Sequence, residues 1–199
     1  MAFFDLVKSS RSYRRFDASR KISREELVSF IETVRYAAAS VNVQPFKYAL
    51  SWEKPLNDKI FAKTRWARLL SKEDFPPQTE DEQPTAYILI TLDREITENA
   101  ERFRVDVGIC AQTIMLAAAE IGLGGCMIGN YDKEDVRDLM GLDDRYVPML
   151  LLAFGKPGET VVTEDIPESG STAYYRKDGI HHVPKRSVKE MIANCDIDG

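Results

Sequence analysis

Apolar residues along this chain switch between two spacings. In SREELVSFIETVRYAAAS, Leu27, Phe30, Ile31, Val34 and Ala38 recur at helical intervals. Ser23 and Glu26 stand three apart just ahead of them, the capping box that opens a helix. FKYALSW alternates and predicts a strand, and LNDKIFAKTRWARLLS returns to helical spacing. SKEDFPPQTEDEQPT, rich in proline and charge, predicts a surface loop, and AYILITL after it a buried strand.

ENAERFRVDVGICAQTIMLAAAEIGLGG predicts the longest helix. Its later turns are apolar nearly all round, which calls for burial on more than one side. Either it is the central helix of a monomer core or a second protomer covers one face, with Gly108, Ala111 and Ala118 permitting close approach. After GLGG comes the short apolar stretch CMIG. DKEDVRDLMG then reads as a helix with Asp132 as N-cap and Gly141 just past its end, followed by a buried strand, YVPMLLLAFG. From Lys156 onward there is little periodicity, and YYRKDGIHHVPKR is basic and aromatic. Such a tail frays unless it is tied down. Residues 156–199 are therefore expected to wrap a partner or close over a ligand. The pattern predicts one domain over 1–199, an α+β sandwich whose mixed sheet is covered by helices on both faces.

Charge narrows the function classes. With 32 acidic against 27 basic residues and a net charge of -5, the chain lacks the basic balance of a general nucleic-acid or membrane-surface binder. Cys110, Cys126 and Cys195 are odd in number and form no CxxC, which suits a reducing compartment and no zinc site. No apolar run approaches the length of a membrane span, and the N-terminus does not read as a secretory signal, so a cytoplasmic protein is expected.

Histidine occurs only at His181 and His182, and there is no GxSxG, HExxH or P-loop. GLGGCMIG is not a dinucleotide fingerprint: Met127 stands where its third glycine belongs, and the cluster leaves a helix for a strand. No nucleophile or metal cage stands out, so a cofactor would carry any reaction. Three pieces suit binding one. Arg11, Ser12 and Arg14 in SSRSYRRFDAS combine bidentate cations with a neutral donor for phosphate. Asn42 and Gln44 in ASVNVQPF offer carboxamides to the edge of a heterocycle. The glycine cluster lets backbone lie against a flat ring.

RSYRRFD, AASVNVQPF and DVGICAQTIMLAAAEIGLGGCMIGNYDKEDVRDLMGL, in this order and spacing, resemble the FMN-dependent nitroreductase family over roughly the first 155 residues. The resemblance implies a sandwich with a mainly antiparallel sheet, an intertwined homodimer, and FMN at the subunit interface. Arg11, Ser12 and Arg14 would hold the FMN phosphate, helped by Lys185 and Arg186 from the tail. Ala39, Ser40 and Asn42 would contact the flavin from the other protomer. Met127, Ile128 and Gly129 would pass over the ring, with the Gly129 N–H near flavin N5. No side chain is assigned as catalytic. NAD(P)H would deliver hydride to N5 in a ping-pong cycle, and a nitroaromatic, quinone or similar acceptor would take it away. Family members of different chemistry (flavin fragmentation, dehalogenation, heterocycle oxidation) and a non-catalytic FMN-binding dimer are the alternatives. The chain departs from the family pattern at Ala38-Ala39 and Ser10, and it is short ahead of the long helix. In place of the excursion that larger relatives have there, Trp66 and Arg68 either shape the acceptor pocket or belong to an amphipathic surface helix.

Overall fold

The computed structural model describes residues 1–66 and 77–194. In chain order its first half holds α1 (Phe3–Ser9), β1 (Phe16–Asp17), α2 (Arg24–Val34), β2 (Phe46–Ser51), α3 (Lys54–Phe61) and β3 (Ala86–Asp93). Then come α4 (Arg104–Glu120), β4 (Gly124–Ile128), α5 (Lys133–Leu139), β5 (Tyr146–Pro157), β6 (Thr160–Asp165), β7 (Tyr175–Lys177), β8 (Ile180–Lys185) and α6 (Val188–Met191).

Strand β3 is buried along its whole length, as its unbroken apolar run requires. Ala86, Ile88 and Ile90 enter one core with α2 and α4, while Tyr87 and Leu89 enter a second with Ile60 of α3 and Val136 of α5. The sheet is thus covered by helices on both faces, as expected. β2 and β5 flank β3, both antiparallel. The far edge of β5 carries β4 and then β1, again antiparallel. Among the described residues, parallel pairing enters only at the isolated Ser12–Gly125 bridge and in the tail.

Local chemistry sets the helix ends. Both bonds of the Ser23–Glu26 capping box form. Helix α4 closes with Gly122 at φ 77°, its N–H bonding Ala119 O and the Leu123 N–H bonding Ala118 O, a Schellman motif that turns the chain into β4.

Two expectations need correction. The helix over LNDKIFAKTRWARLLS ends at Phe61. Beyond it, backbone bonds to the stretch after β4 replace helical ones: Arg65 N–H to Asn130 O at 3.0 Å, and Asp132 N–H to Lys63 O at 2.9 Å. Trp66 is 3 % exposed, packs on Phe16 and Phe61, and donates its indole N–H to Thr64. It is a core side chain and sits on no surface helix. Arg68 and Cys195 lie outside the described residues.

The tail is the second correction, since it is regular. β6, β8 and β7 form a three-stranded sheet, with β6–β8 parallel and β7–β8 antiparallel. Asp178 (φ 51°) and Gly179 (φ 77°) turn the β7–β8 hairpin, an Asp-Gly pair with the two positive φ values of a type I′ turn. Among the described residues no helix is long and apolar enough to cross a membrane.

Candidate functional site

The arginine segment is fixed against β4. Tyr13 N–H donates to Gly125 O at 2.9 Å beside the Ser12–Gly125 bridge. The Tyr13 ring lies where a side chain on Gly124 would stand: a Cβ there would come within 2.3 Å of Tyr13 Cδ2. Glycine at 124 is what lets the segment lie flat.

Between this segment and the tail sheet is a cavity of about 290 Å³, lined by Arg11, Ser12, Arg14, Tyr174, His181 and Lys185 among others. Val183 lines it too, so positions 181, 183 and 185 present one face of β8. Arg11 donates to the carbonyls of Ser10 (2.7 Å) and Val7 (2.8 Å). Arg14 lies 4.8 Å over the Tyr174 ring. Among the described residues, none of the ion pairs involves Arg11, Arg14 or Lys185. Arg15 differs: its guanidinium is 3.7 Å from Glu82. Arg186 does not line the cavity and pairs with Glu190 at 3.4 Å.

The cavity wall rests on a buried charge cluster that no sequence motif signals. The Glu159 carboxylate, 2 % exposed, accepts from the backbone N–H groups of Arg14 and Arg15 and pairs with the Arg176 guanidinium. This one carboxylate joins the N-terminal segment to the tail. His181, across the ladder from Arg176, is fully buried. Its Nδ1 is 3.8 Å from Glu159, and neither ring nitrogen has a hydrogen-bond partner among the described residues. Burial first, then the Arg14 guanidinium, pushes its pKa down to about 4, so the ring is neutral near pH 7.

A second cavity, also about 290 Å³, lies between α2, β2 and α4 and is lined by Ala39, Asn42, Gln44, Tyr48, Asp106 and Cys110 among others. Its rim is strained: Val41 (φ 51°), Asn42 (φ 55°) and Gln44 (φ 51°) all adopt left-handed backbone, unusual for a β-branched valine above all. Buried Asp106 pins this rim, accepting from the Ser40 N–H at 2.7 Å and the Ser40 hydroxyl at 2.6 Å. The Asn42 carboxamide oxygen accepts from Gln44 Nε2 at 3.0 Å. Burial raises the Tyr48 hydroxyl and the Cys110 thiol above their ordinary pKa values, so neither is ionised near neutrality.

The predicted residues therefore fall into three places within one chain. Arg11, Ser12, Arg14 and Lys185 share the cationic cavity. Ala39, Ser40 and Asn42 belong to the strained rim. Met127 and Gly129 are exposed at the end of β4, while the Ile128 side chain is buried in the second core and offers only backbone. The space around Gly129 is open, and nothing lies within 4 Å of where a Cβ on it would stand. No cluster able to hold a metal ion occurs among the described residues. For a phosphate-bearing cofactor the donor set fits: unpaired cations, a serine, and an orphaned buried imidazole surround one cavity.

Comparison with known proteins identifies the family and the fold. The nitroreductase family profile matches residues 7–156. A Bacillus subtilis protein provisionally named NAD(P)H nitroreductase YdgI is 27 % identical over 187 residues, covering 79 % of this chain and 89 % of its own. Among solved structures, a nitroreductase family protein from Streptococcus pneumoniae TIGR4 superposes with TM-score 0.65 at 17 % identity, covering 84 % of this chain and 96 % of its own. A provisionally assigned nitroreductase from Exiguobacterium sibiricum 255-15, solved in complex with FMN, gives 0.63 at 23 % identity, covering 80 % and 90 %. Three quarters of the chain fall under one family profile and the fold agrees with it throughout: the chain is an oxidoreductase of the nitroreductase family.

Proposed function

We propose that the chain is an FMN-dependent NAD(P)H oxidoreductase that reduces a nitroaromatic, quinone or similar acceptor. The observation that carries this is the cationic cavity, in which Arg11, Arg14 and Lys185 converge unpaired. FMN, when bound, would supply the two-electron hydride chemistry between NAD(P)H and the acceptor. The chain's own groups bind and orient. Arg11, Arg14, Ser12 and Lys185 hold the phosphate, and their charge favours a more negative reduced cofactor. The chain at Met127 and Gly129, exposed at the end of β4, would lie against the ring.

The same reading makes the protein a homodimer, with the Ala39–Asn42 rim of one copy completing the site of the other. Supporting it, Phe3, Phe4 and Val105 are 75, 67 and 72 % exposed, and Gly108 on α4 has nothing packed within 4 Å of a Cβ position. On this reading the tail sheet, through Tyr174, His181 and Lys185, closes the phosphate end of the site from within the same chain.

Purified protein is expected to be yellow or to take up FMN, to bleach anaerobically with NADH or NADPH, and to recolour with an acceptor. Colourless protein that takes up no added FMN overturns the reading. Light scattering that gives a monomer mass for the FMN-loaded protein overturns the dimer.

A further inference from the structure

Among the described residues, no hydrogen bond uses the ring of buried His181. It is one of only two histidines in the chain. A ring with two polar nitrogens is fully enclosed, yet neither nitrogen is satisfied among the described residues, an arrangement that costs free energy unless a ligand completes it. It also lines the cavity that holds Arg11, Ser12, Arg14 and Lys185.

We propose that His181 is an anion-binding residue of this cavity, and that its ring takes up a proton from solvent when a tetrahedral dianion, a phosphate or sulfate group, enters. The groups facing the ring give the reason. From the N-terminal segment comes Arg14, from the β5–β6 turn Glu159, from β7 Arg176, and along β8 its neighbour His182. The Tyr174 ring meets it edge-on at 5.4 Å, and Val161 of β6 is its uncharged ladder partner. In the empty cavity, burial and two guanidinium groups oppose a third positive charge. Glu159, already engaged by Arg176 and two backbone N–H groups, does not offset them. A dianion reverses the balance. It neutralises the arginine field, and an imidazolium has two N–H groups, one for Glu159 at 3.8 Å and one for the anion. Neutral imidazole can supply only one.

The natural anion, on the reading above, is the FMN phosphate; the inference rests on that reading only for the ligand's identity. Inorganic sulfate separates the two, since it stays a dianion across the whole range in which histidine titrates. With only two histidines, imidazole NMR resolves both rings, and His181→Gln assigns them. Titrations are compared in chloride, in sulfate at matched ionic strength, and with FMN. The His181 midpoint is expected to rise by about 1 to 3 pH units with the anion. Calorimetry in two buffers of different ionisation enthalpy, at about pH 6, reads the same proton uptake in folded protein, and His181→Gln should abolish it.

A midpoint that rises with sulfate but not with FMN supports the anion residue and sinks the FMN reading. FMN that binds while neither anion moves the midpoint, and without proton uptake, overturns the inference and leaves the FMN reading standing. Equal shifts of both histidines, or uptake unchanged in His181→Gln, overturn it as well.

Discussion

The two cavities have the same volume, about 290 Å³ each, and are opposite in character. In the cationic cavity the backbone is ordinary but the charges are uncompensated. At the α2–α4 cavity the buried Asp106 carboxylate is hydrogen-bonded by Ser40, but the backbone is strained at Val41, Asn42 and Gln44. Each is held away from its local optimum by the surrounding fold. Unpaired cations prepare a site to receive a charged ligand group. Strained backbone held by a buried carboxylate prepares one to present fixed peptide groups to a ring. A flavin mononucleotide has both kinds of surface.

The comparison breaks first at Glu159. Replacing it with alanine leaves Arg176 buried without a partner and releases two backbone N–H groups, so a loss of about 3–5 kcal/mol is expected in urea unfolding. Limited proteolysis should then cut the tail sheet while the rest of the domain stays intact. A loss below about 1 kcal/mol would show that the tail is held by something other than this cluster.

Acid sharpens the same contrast. His181 is held at about 4 against 6.5 for an ordinary histidine, chiefly by burial. As pH falls, the unfolded chain therefore takes up this proton first. The stability contributed by the neutral ring is complete above about pH 6.5 and is lost as pH falls towards 4, about 3 kcal/mol in all. Several carboxylates with lowered pKa values, Glu26 and Glu164 among them, add to acid lability, so the test is a difference. Wild type should lose stability relative to His181→Gln, by up to about 3 kcal/mol, as pH drops from 7 to about 4.5. A constant gap would mean that the ring is not held neutral by the fold.

The body of the fold was legible because its signals are local. Ser23–Glu26, the AYILITL run and Gly122 each state an element or an end without reference to anything distant. The arginine segment was legible for the same reason, and the structure gathers Arg11, Ser12 and Arg14 with Lys185. What stayed hidden depends on long-range partners. Glu159 finds Arg14 at a separation of 145 residues, and Asp106 finds Ser40 at 66. The end of α3 is decided by backbone bonds to residues 130–132. The tail is a different case, because Asp178-Gly179 is a strong hairpin signal in its own right. It was overshadowed by strands of only three and six residues, too short for periodicity to register.

At the strained rim, Ser40→Ala removes the hydroxyl that satisfies Asp106 Oδ1. A loss of about 1–3 kcal/mol is expected by thermal or urea unfolding. The cationic cavity should be untouched, so sulfate should still move the His181 resonance in the variant. If that response disappears, the two cavities are coupled and the contrast between them fails.

The smallest effect is expected within the arginine segment itself. Arg11, Arg14 and Arg15 lie within five positions, and diffuse electrostatics would weight them alike. The structure does not, because Arg15 turns away from the cavity towards Glu82. Arg11→Ala or Arg14→Ala each removes a charged donor from the anion's surroundings, which predicts about tenfold to hundredfold weaker FMN retention. Arg15→Ala removes a partly exposed pair at 3.7 Å and should change retention by less than about threefold. Fluorescence quenching of FMN titrated into the three variants measures the order directly. Comparable losses at all three positions would mean that the positive field as a whole binds the cofactor, and that the geometry separating Arg15 from its neighbours does not matter.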